Sequence, residues 1–258
     1  MNVRLERRGA AAIVTIDRPD QRNALSRQTV LDFGRVGREL ASDDGVRLAI
    51  VTGSGEKAFC AGADLKERAT MTDEGVREML GLYASELAWL ESSPFPSVAA
   101  LNGVALGGGL ELALTCDLRV AAPHALLGLP ETSLGIVPAA GGTQRLPRVV
   151  GYSKALELVL TGARLGAEEA LAIGLVNRVA ALEVPVVDDV LSWLMPVVEG
   201  APVAQRAALV AVRASRETTL EQGLEVERRV YEDCLASDDR REALRAFVEK
   251  RKPVFKGR

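Results

Sequence analysis

The chain has 258 residues, 48% of them hydrophobic and 26% charged, enough to bury a sizeable core in one or two domains. A formal net charge of -3 provides no basic field for nucleic acid or an anionic membrane face, and no run approaches the ~20 apolar residues of a membrane-spanning helix. Cys60, Cys116 and Cys234 form no C-x-x-C pair and have no histidine at ligand spacing, so a disulfide framework and a zinc site are excluded and a reducing, cytoplasmic setting is expected.

The N-terminal stretch MNVRLERRGAAAIVTI lacks a secretory apolar core. Residues 3–16 predict a hairpin, because VRLER and AAIVTI are β-compatible and Arg8-Gly9 marks a turn. DRPDQRNALS then leads into a helix from about Arg27 to Leu40. VRLAIVTG predicts a buried strand ending at Gly53, followed by the small-residue loop SGEKAFCAGADLKE, a suitable place for chemistry. Residues 72–91 show helical periodicity, with Val76, Leu80, Tyr83, Leu87 and Leu90 near one face, and SPFPS stops that helix before the strand SVAALNGVA.

Three glycines at 107–109 open a second helix, LRVAA reads as a strand, and a loop with helical turns runs to about residue 151. The alternation predicts an α/β fold whose unit is strand, strand, helix. From about Ala201 only amphipathic helices remain, with Thr218 and Glu221 spaced as a capping box and Ser237 or Asp238 as an N-cap. A catalytic core over 1–195 and a helical assembly domain over 196–258 are expected.

The glycines of GVALGGGLELALTCD fit neither a P-loop nor a dinucleotide fingerprint, since no G-K-S/T follows and the G-x-G-x-x-G spacing is missing. Close backbone packing explains glycine there equally well. Glu111 falls in the first helical turn among Leu110, Leu112, Ala113 and Leu114; an exposed first-turn glutamate would merely complement the helix dipole, but these neighbours offer little water. The helix-start amides near Gly108 suit a developing oxyanion, and a second donor would come from Ala61, Gly62 or Ala63 of AFCAGAD. Glu131, after Pro130, either opens a helix or forms a second buried acid, and desolvated carboxyls are suited to proton transfer. The single histidine, His124, and the small-residue settings of Cys60 and Cys116 read as structural.

Taken together, AFCAGADLKE, NGVALGGGLELALTCDLRVAA and PETSLGIVPAAGGTQRLPRVVG resemble the enoyl-CoA hydratase/isomerase, or crotonase, family over essentially the whole chain. Within it the chain is most similar to enoyl-CoA hydratases, with a further likeness to methylglutaconyl-CoA hydratases in CAGADLKER, ALGGGLELAL and RKPVFKGR. The resemblance implies a spiral of β-β-α turns followed by a helical trimerisation region, assembled as a homohexamer from two trimers, acting on an acyl-CoA thioester without metal or further cofactor. It implies an oxyanion hole from the backbone N–H groups of Ala63 and Gly108, and a catalytic pair of Glu111 and Glu131. Ala61, Asp64, Leu65 and Lys66 match the segment beside CoA, and Phe247 and Lys250 match C-terminal positions that reach CoA across a subunit boundary. Ala139 departs from the glycine common in relatives, though its amide remains.

The resemblance implies addition of water to a 2-enoyl-CoA, with methylglutaconyl-CoA hydration or 3-to-2 enoyl isomerisation as alternatives. Some methylglutaconyl-CoA hydratase relatives bind RNA through a lysine-rich helix. Here residues 26–44 set Arg27, Arg35 and Arg38 against Asp32, Glu39, Asp43 and Asp44, so no nucleic-acid partner is expected.

Overall fold

The computed structural model describes residues 1–258. Strands β1 (Val3–Arg8) and β2 (Ala11–Ile16) form the predicted hairpin around Gly9, whose φ of +61° suits a glycine turn. Helix α1 (Arg27–Ala41) is capped by Ser26, which accepts from the Thr29 amide, and buries Val30, Phe33, Val36 and Leu40 along one face. Strand β3 (Leu48–Gly53) is buried at every residue, as its unbroken apolar run requires.

The segment read as a plain loop contains strand β4 (Ala58–Cys60) and the single-turn helix α2 (Leu65–Arg68). The helix expected over 72–91 is two helices, α3 (Asp73–Glu86) and α4 (Trp89–Ser92). The Leu87 amide still bonds to Tyr83, but the Leu90 amide bonds to the carbonyl of Leu87, a tighter turn that breaks the helix. Trp89 then packs on Phe33 with ring centroids 5.4 Å apart.

SVAALNGVA is likewise divided, into β5 (Ser97–Leu101) and β6 (Val104–Leu106), which belong to different sheets. Asn102 marks the crossing: its Oδ1 accepts from the Gly53 amide at 3.0 Å and its Nδ2 donates to the Gly55 carbonyl at 2.7 Å. Helix α5 (Gly108–Thr115), strands β7 (Leu118–Ala121) and β8 (Leu126–Gly128), and helices α6 (Gly142–Val150) and α7 (Tyr152–Thr161) follow. Strand β9 (Arg164–Gly166), helix α8 (Ala167–Ala172), strand β10 (Arg178–Val179) and helix α9 (Val186–Trp193) complete this part of the chain.

Six strands form one sheet in the order β1-β2-β3-β5-β7-β10, parallel except for the hairpin, and four form a second in the order β4-β6-β8-β9. After the hairpin, the pairs β3–β4, β5–β6 and β7–β8 each place one strand in each sheet before the chain turns into helix, which is the crotonase fold. The parallel β4, β6 and β8 lie beside one another, and the chain leaving β6 and β8 carries the glycines and both glutamates, Glu111 in the first turn of α5 and Glu131 after Pro130.

The chain divides into two compact units, Met1–Ser93 with Ser97–Trp193, and Pro94–Pro96 with Leu194–Arg258. The second is helical: α10 (Met195–Glu199), α11 (Pro202–Ala214), α12 (Leu220–Ala236) and α13 (Asp238–Val248). Its capping box lies one residue beyond the expected Thr218 and Glu221. Thr219 Oγ1 accepts from the Gln222 amide and Gln222 Oε1 accepts from the Thr219 amide, because the Thr218 hydroxyl is committed to the Ala214 carbonyl at 2.8 Å. Ser237 caps α13 as expected.

Candidate active site

Close backbone approach explains the glycine run. A Cβ at Gly109 would overlap the Cys60 carbonyl oxygen, so α5 can begin against the end of β4 only with glycine there. Gly107 takes φ +51° and ψ -127°, donates its N–H to the Gly128 carbonyl at 2.9 Å, and leaves only 3.0 Å between a would-be Cβ and Glu131 Oε1. A Cβ on Gly108 would meet the amide nitrogen of Ala63 at 3.6 Å, so the start of α5 and the β4–α2 turn stand side by side. The fold takes up neither of these two N–H groups. Of the three candidate second donors, Ala61 is removed: its amide already donates to the Arg22 carbonyl at 3.0 Å.

Glu111 is 3% exposed, and its Oε1 accepts from the amides of Ala140 at 2.8 Å and Gly142 at 2.7 Å, at the entry to α6. Burial raises its carboxyl above the usual range, opposed by the Gly142 and Ala140 amides, by the charge of Arg145 and by the Ala139 amide. Arg145 is itself held by Glu91 through two hydrogen bonds of 2.7 and 2.6 Å.

Glu131 opens a 3-10 turn, Glu131–Leu134, after Pro130 and is 8% exposed. No protein donor reaches its Oε2. Burial pushes the carboxyl up to about 7; its own amide opposes the shift and the negative charge of Glu111 adds to it. The two acids thus sit in unlike surroundings, one held by two amides from another segment and one with an oxygen left unpartnered.

A cavity of about 290 Å³ collects Ala63, Gly108, Glu111 and Glu131, together with Ala61 and Leu65, between apolar walls that include Leu80, Leu106 and Val137. It is built wholly from the first unit, so Phe247 and Lys250, both in the second, are not part of it; Phe247 is 84% exposed. Asp64 and Lys66 do not line it either. Among the lining residues not singled out as site residues from sequence are Tyr83, counted only as a helix-face residue, Arg68, whose signal was its place one helical turn after Leu65, and a second cation, Arg164.

Asp64 instead holds the turn between Ala63 and α2. It pairs with Arg18 at 2.9 Å and caps α2 by accepting from the Glu67 amide. Burial pushes its carboxyl up, but the Arg18 hydrogen bond and the Glu67 amide outweigh this and hold it below the usual range. Asp64→Ala is expected to destabilise the fold by about 2 kcal/mol, since it strips a half-buried cation of its partner and α2 of its cap. A depressed carboxylate contributes above its unfolded pKa, so in denaturant melts the gap from wild type should narrow as acid protonates Asp64.

His124 lies elsewhere, its Nε2 at 3.1 Å from the Glu56 carbonyl and 3.2 Å from that of Asn102. Cys60 is buried and desolvation pushes its thiol up to about 12, an inert state.

A β-β-α spiral carrying two unclaimed amides beside two buried carboxyls defines an enzyme of the crotonase superfamily. The enoyl-CoA hydratase/isomerase family profile matches residues 6–258. The chain belongs to that family. A Bacillus subtilis (strain 168) protein bearing the family's name is 46% identical over 248 residues, covering 95% of this chain and 94% of its own. Short-chain-enoyl-CoA hydratase of Clostridium acetobutylicum is 39% identical over 251 residues, covering 97% and 96%, and mitochondrial methylglutaconyl-CoA hydratase of Mus musculus is 41% identical over 257, covering 98% and 81%. The crystal structure of enoyl-CoA hydratase from Bacillus anthracis matches with a TM-score of 0.97 at 40% identity, over 100% of both chains. No helix is long and apolar enough to cross a membrane.

Proposed function

We propose that the protein adds water across the double bond of a 2-enoyl-CoA to give a 3-hydroxyacyl-CoA. One observation carries this reading: two carboxyls in a single cavity, one twice hydrogen-bonded by amides and one with an oxygen left unpartnered and raised to about 7. Environments that separate two acids in this way assign them different proton-transfer roles.

Attack of water at the β-carbon moves negative charge onto the thioester oxygen. The amides of Ala63 and Gly108 receive that oxygen, the second aided by the helix dipole, and each such donor contributes roughly 3 kcal/mol. Glu111, steadied by the Ala140 and Gly142 amides, orients the water and shares in its deprotonation. Glu131, the principal acid/base group, delivers a proton to the α-carbon. The proton that Glu111 takes from the water equals the one Glu131 gives up, and its passage from Glu111 to Glu131 after the addition returns the pair to its starting state.

Crotonyl-CoA hydration tests the reading directly, and its absence in the purified protein would reject it. Because Glu131 must carry its proton, kcat/KM for hydration is expected to fall as pH rises through about 7; a profile level across that range would contradict the assignment. An isomerase needs one effective carboxylate and no bound water. Conversion of a 3-enoyl-CoA to its conjugated isomer without hydroxyacyl-CoA would favour that activity instead. Hydration of methylglutaconyl-CoA, the reaction in the mouse relative's name, is the same chemistry on a branched dicarboxylic chain.

The proposal extends to a cytoplasmic enzyme that needs no cofactor beyond the CoA of its substrate and assembles as a dimer of trimers. Assembly is supported by Leu220, Leu224, Tyr231 and Leu235, apolar residues left exposed along α12, and would bring Phe247 and Lys250 of one subunit to the CoA of another.

A further inference from the structure

Arg68 ends the single-turn α2 and lines the cavity, yet its guanidinium is not placed as a surface cation would be. Nη1 is buried and no protein acceptor reaches it. The neighbouring acid, Glu67, accepts from the Arg27 amide at 2.9 Å and makes no hydrogen bond or ion pair with Arg68. Other charges lead at the catalytic acids: Arg145 at Glu111, and Glu111 at Glu131. The field of Arg68 is felt at the Tyr83 hydroxyl, which also feels Cys60, Glu111 and Glu67. Arg68, Tyr83 and Glu111 line one cavity.

The rest of the cavity lining is largely apolar, with Leu80, Leu106 and Val137 among it, and Arg164 is its other cation. A plain alkyl chain in this space would leave a desolvated guanidinium nitrogen without an acceptor, which opposes binding. A carboxylate at the far end of a short chain would supply that acceptor and match the planar fork of donors that arginine presents. We propose that Arg68 is a specificity-determining residue that reads a second, distal carboxylate, so that the preferred substrate is a short-chain dicarboxylic 2-enoyl-CoA monothioester. This assignment rests on reading the cavity as an enoyl-CoA site.

Two saturated thioesters test it without turnover. Glutaryl-CoA and butyryl-CoA share the whole CoA portion and differ in the distal carboxylate, so calorimetric titration of both isolates the contribution of that carboxylate, and the Arg68 variants separate Arg68 from Arg164, the cavity's other cation. Wild type is expected to bind glutaryl-CoA about 100-fold more tightly than butyryl-CoA; in Arg68→Met, which still binds butyryl-CoA, that preference is lost or reversed, and Arg68→Lys retains part of it. A wild-type ratio near one, a ratio that survives Arg68→Met, or an equal loss of both ligands would overturn the proposal; the last would mean that Arg68 holds the CoA portion or the fold. Hydration assays with crotonyl-CoA and glutaconyl-CoA separate this from the reaction assigned above. Ratio intact with neither enoyl thioester hydrated would reject the reaction and keep the carboxylate reader; hydration of crotonyl-CoA with no glutaryl preference would do the reverse.

Discussion

Glu131→Gln is expected to lower kcat for crotonyl-CoA hydration by about a thousandfold or more while leaving the fold intact, because an amide of the same shape cannot deliver a proton to the α-carbon. The same substitution has a second, opposite consequence. Folding raises the Glu131 carboxyl from an ordinary 4.5 to about 7, so the folded protein is favoured by protonation of this group. That contribution is fully present below the unfolded pKa and is lost as pH rises through about 7. Between about pH 5 and about pH 8 the wild type should lose roughly 2–3 kcal/mol through this group, and Glu131→Gln should not. Denaturant melts at the two pH values check the stability arm and steady-state turnover checks the catalytic one. Near-wild-type turnover in the variant would remove Glu131 from the chemistry.

Gly109→Ala is expected to be at least as damaging, by a different route. Its Cβ would overlap the Cys60 carbonyl, so the start of α5 must move away from β4, at a cost of about 3 kcal/mol or more. That movement carries the Gly108 amide off the position facing the Ala63 amide, and a displacement of about 1 Å there costs about a hundredfold in turnover. Gly108→Ala provides the contrast. Its Cβ would make ordinary contacts, 3.5 Å to Leu25 Cδ1 and 3.6 Å to the Ala63 nitrogen, so stability should hold, while the methyl group crowds the place meant for the thioester oxygen and activity falls. Thermal melts and crotonyl-CoA turnover on both variants separate fold from site. Equal stability loss in the two would refute this division.

Much of the architecture was legible from local pattern. The hairpin around Gly9, α1 behind its Ser26 cap and the fully apolar β3 each follow from the residues that compose them. Short elements fared worse. Strands β4 and β8 have three residues each, too few for a period, and both hold their shape through parallel neighbours supplied by distant chain. The break between α3 and α4 and the change of sheet at Asn102 were hidden for the same reason: Trp89 and Asn102 are directed by partners dozens of residues away.

The sequence by itself determined which residues had to be special: a run of glycines where no side chain fits, a glutamate among leucines, and a second after a proline. Such demands are local, set by sterics and by the cost of placing a carboxyl in apolar company. Only the tertiary structure decided what these residues meet. It gave Glu111 the amides of Ala140 and Gly142 and left Glu131 Oε2 bare. It occupied the Ala61 amide while sparing that of Ala63, and it turned Arg68 from a helix-end cation into a wall of the cavity. Hydrogen-bond satisfaction and desolvation depend on atoms from separate turns of the spiral, so no single segment records them.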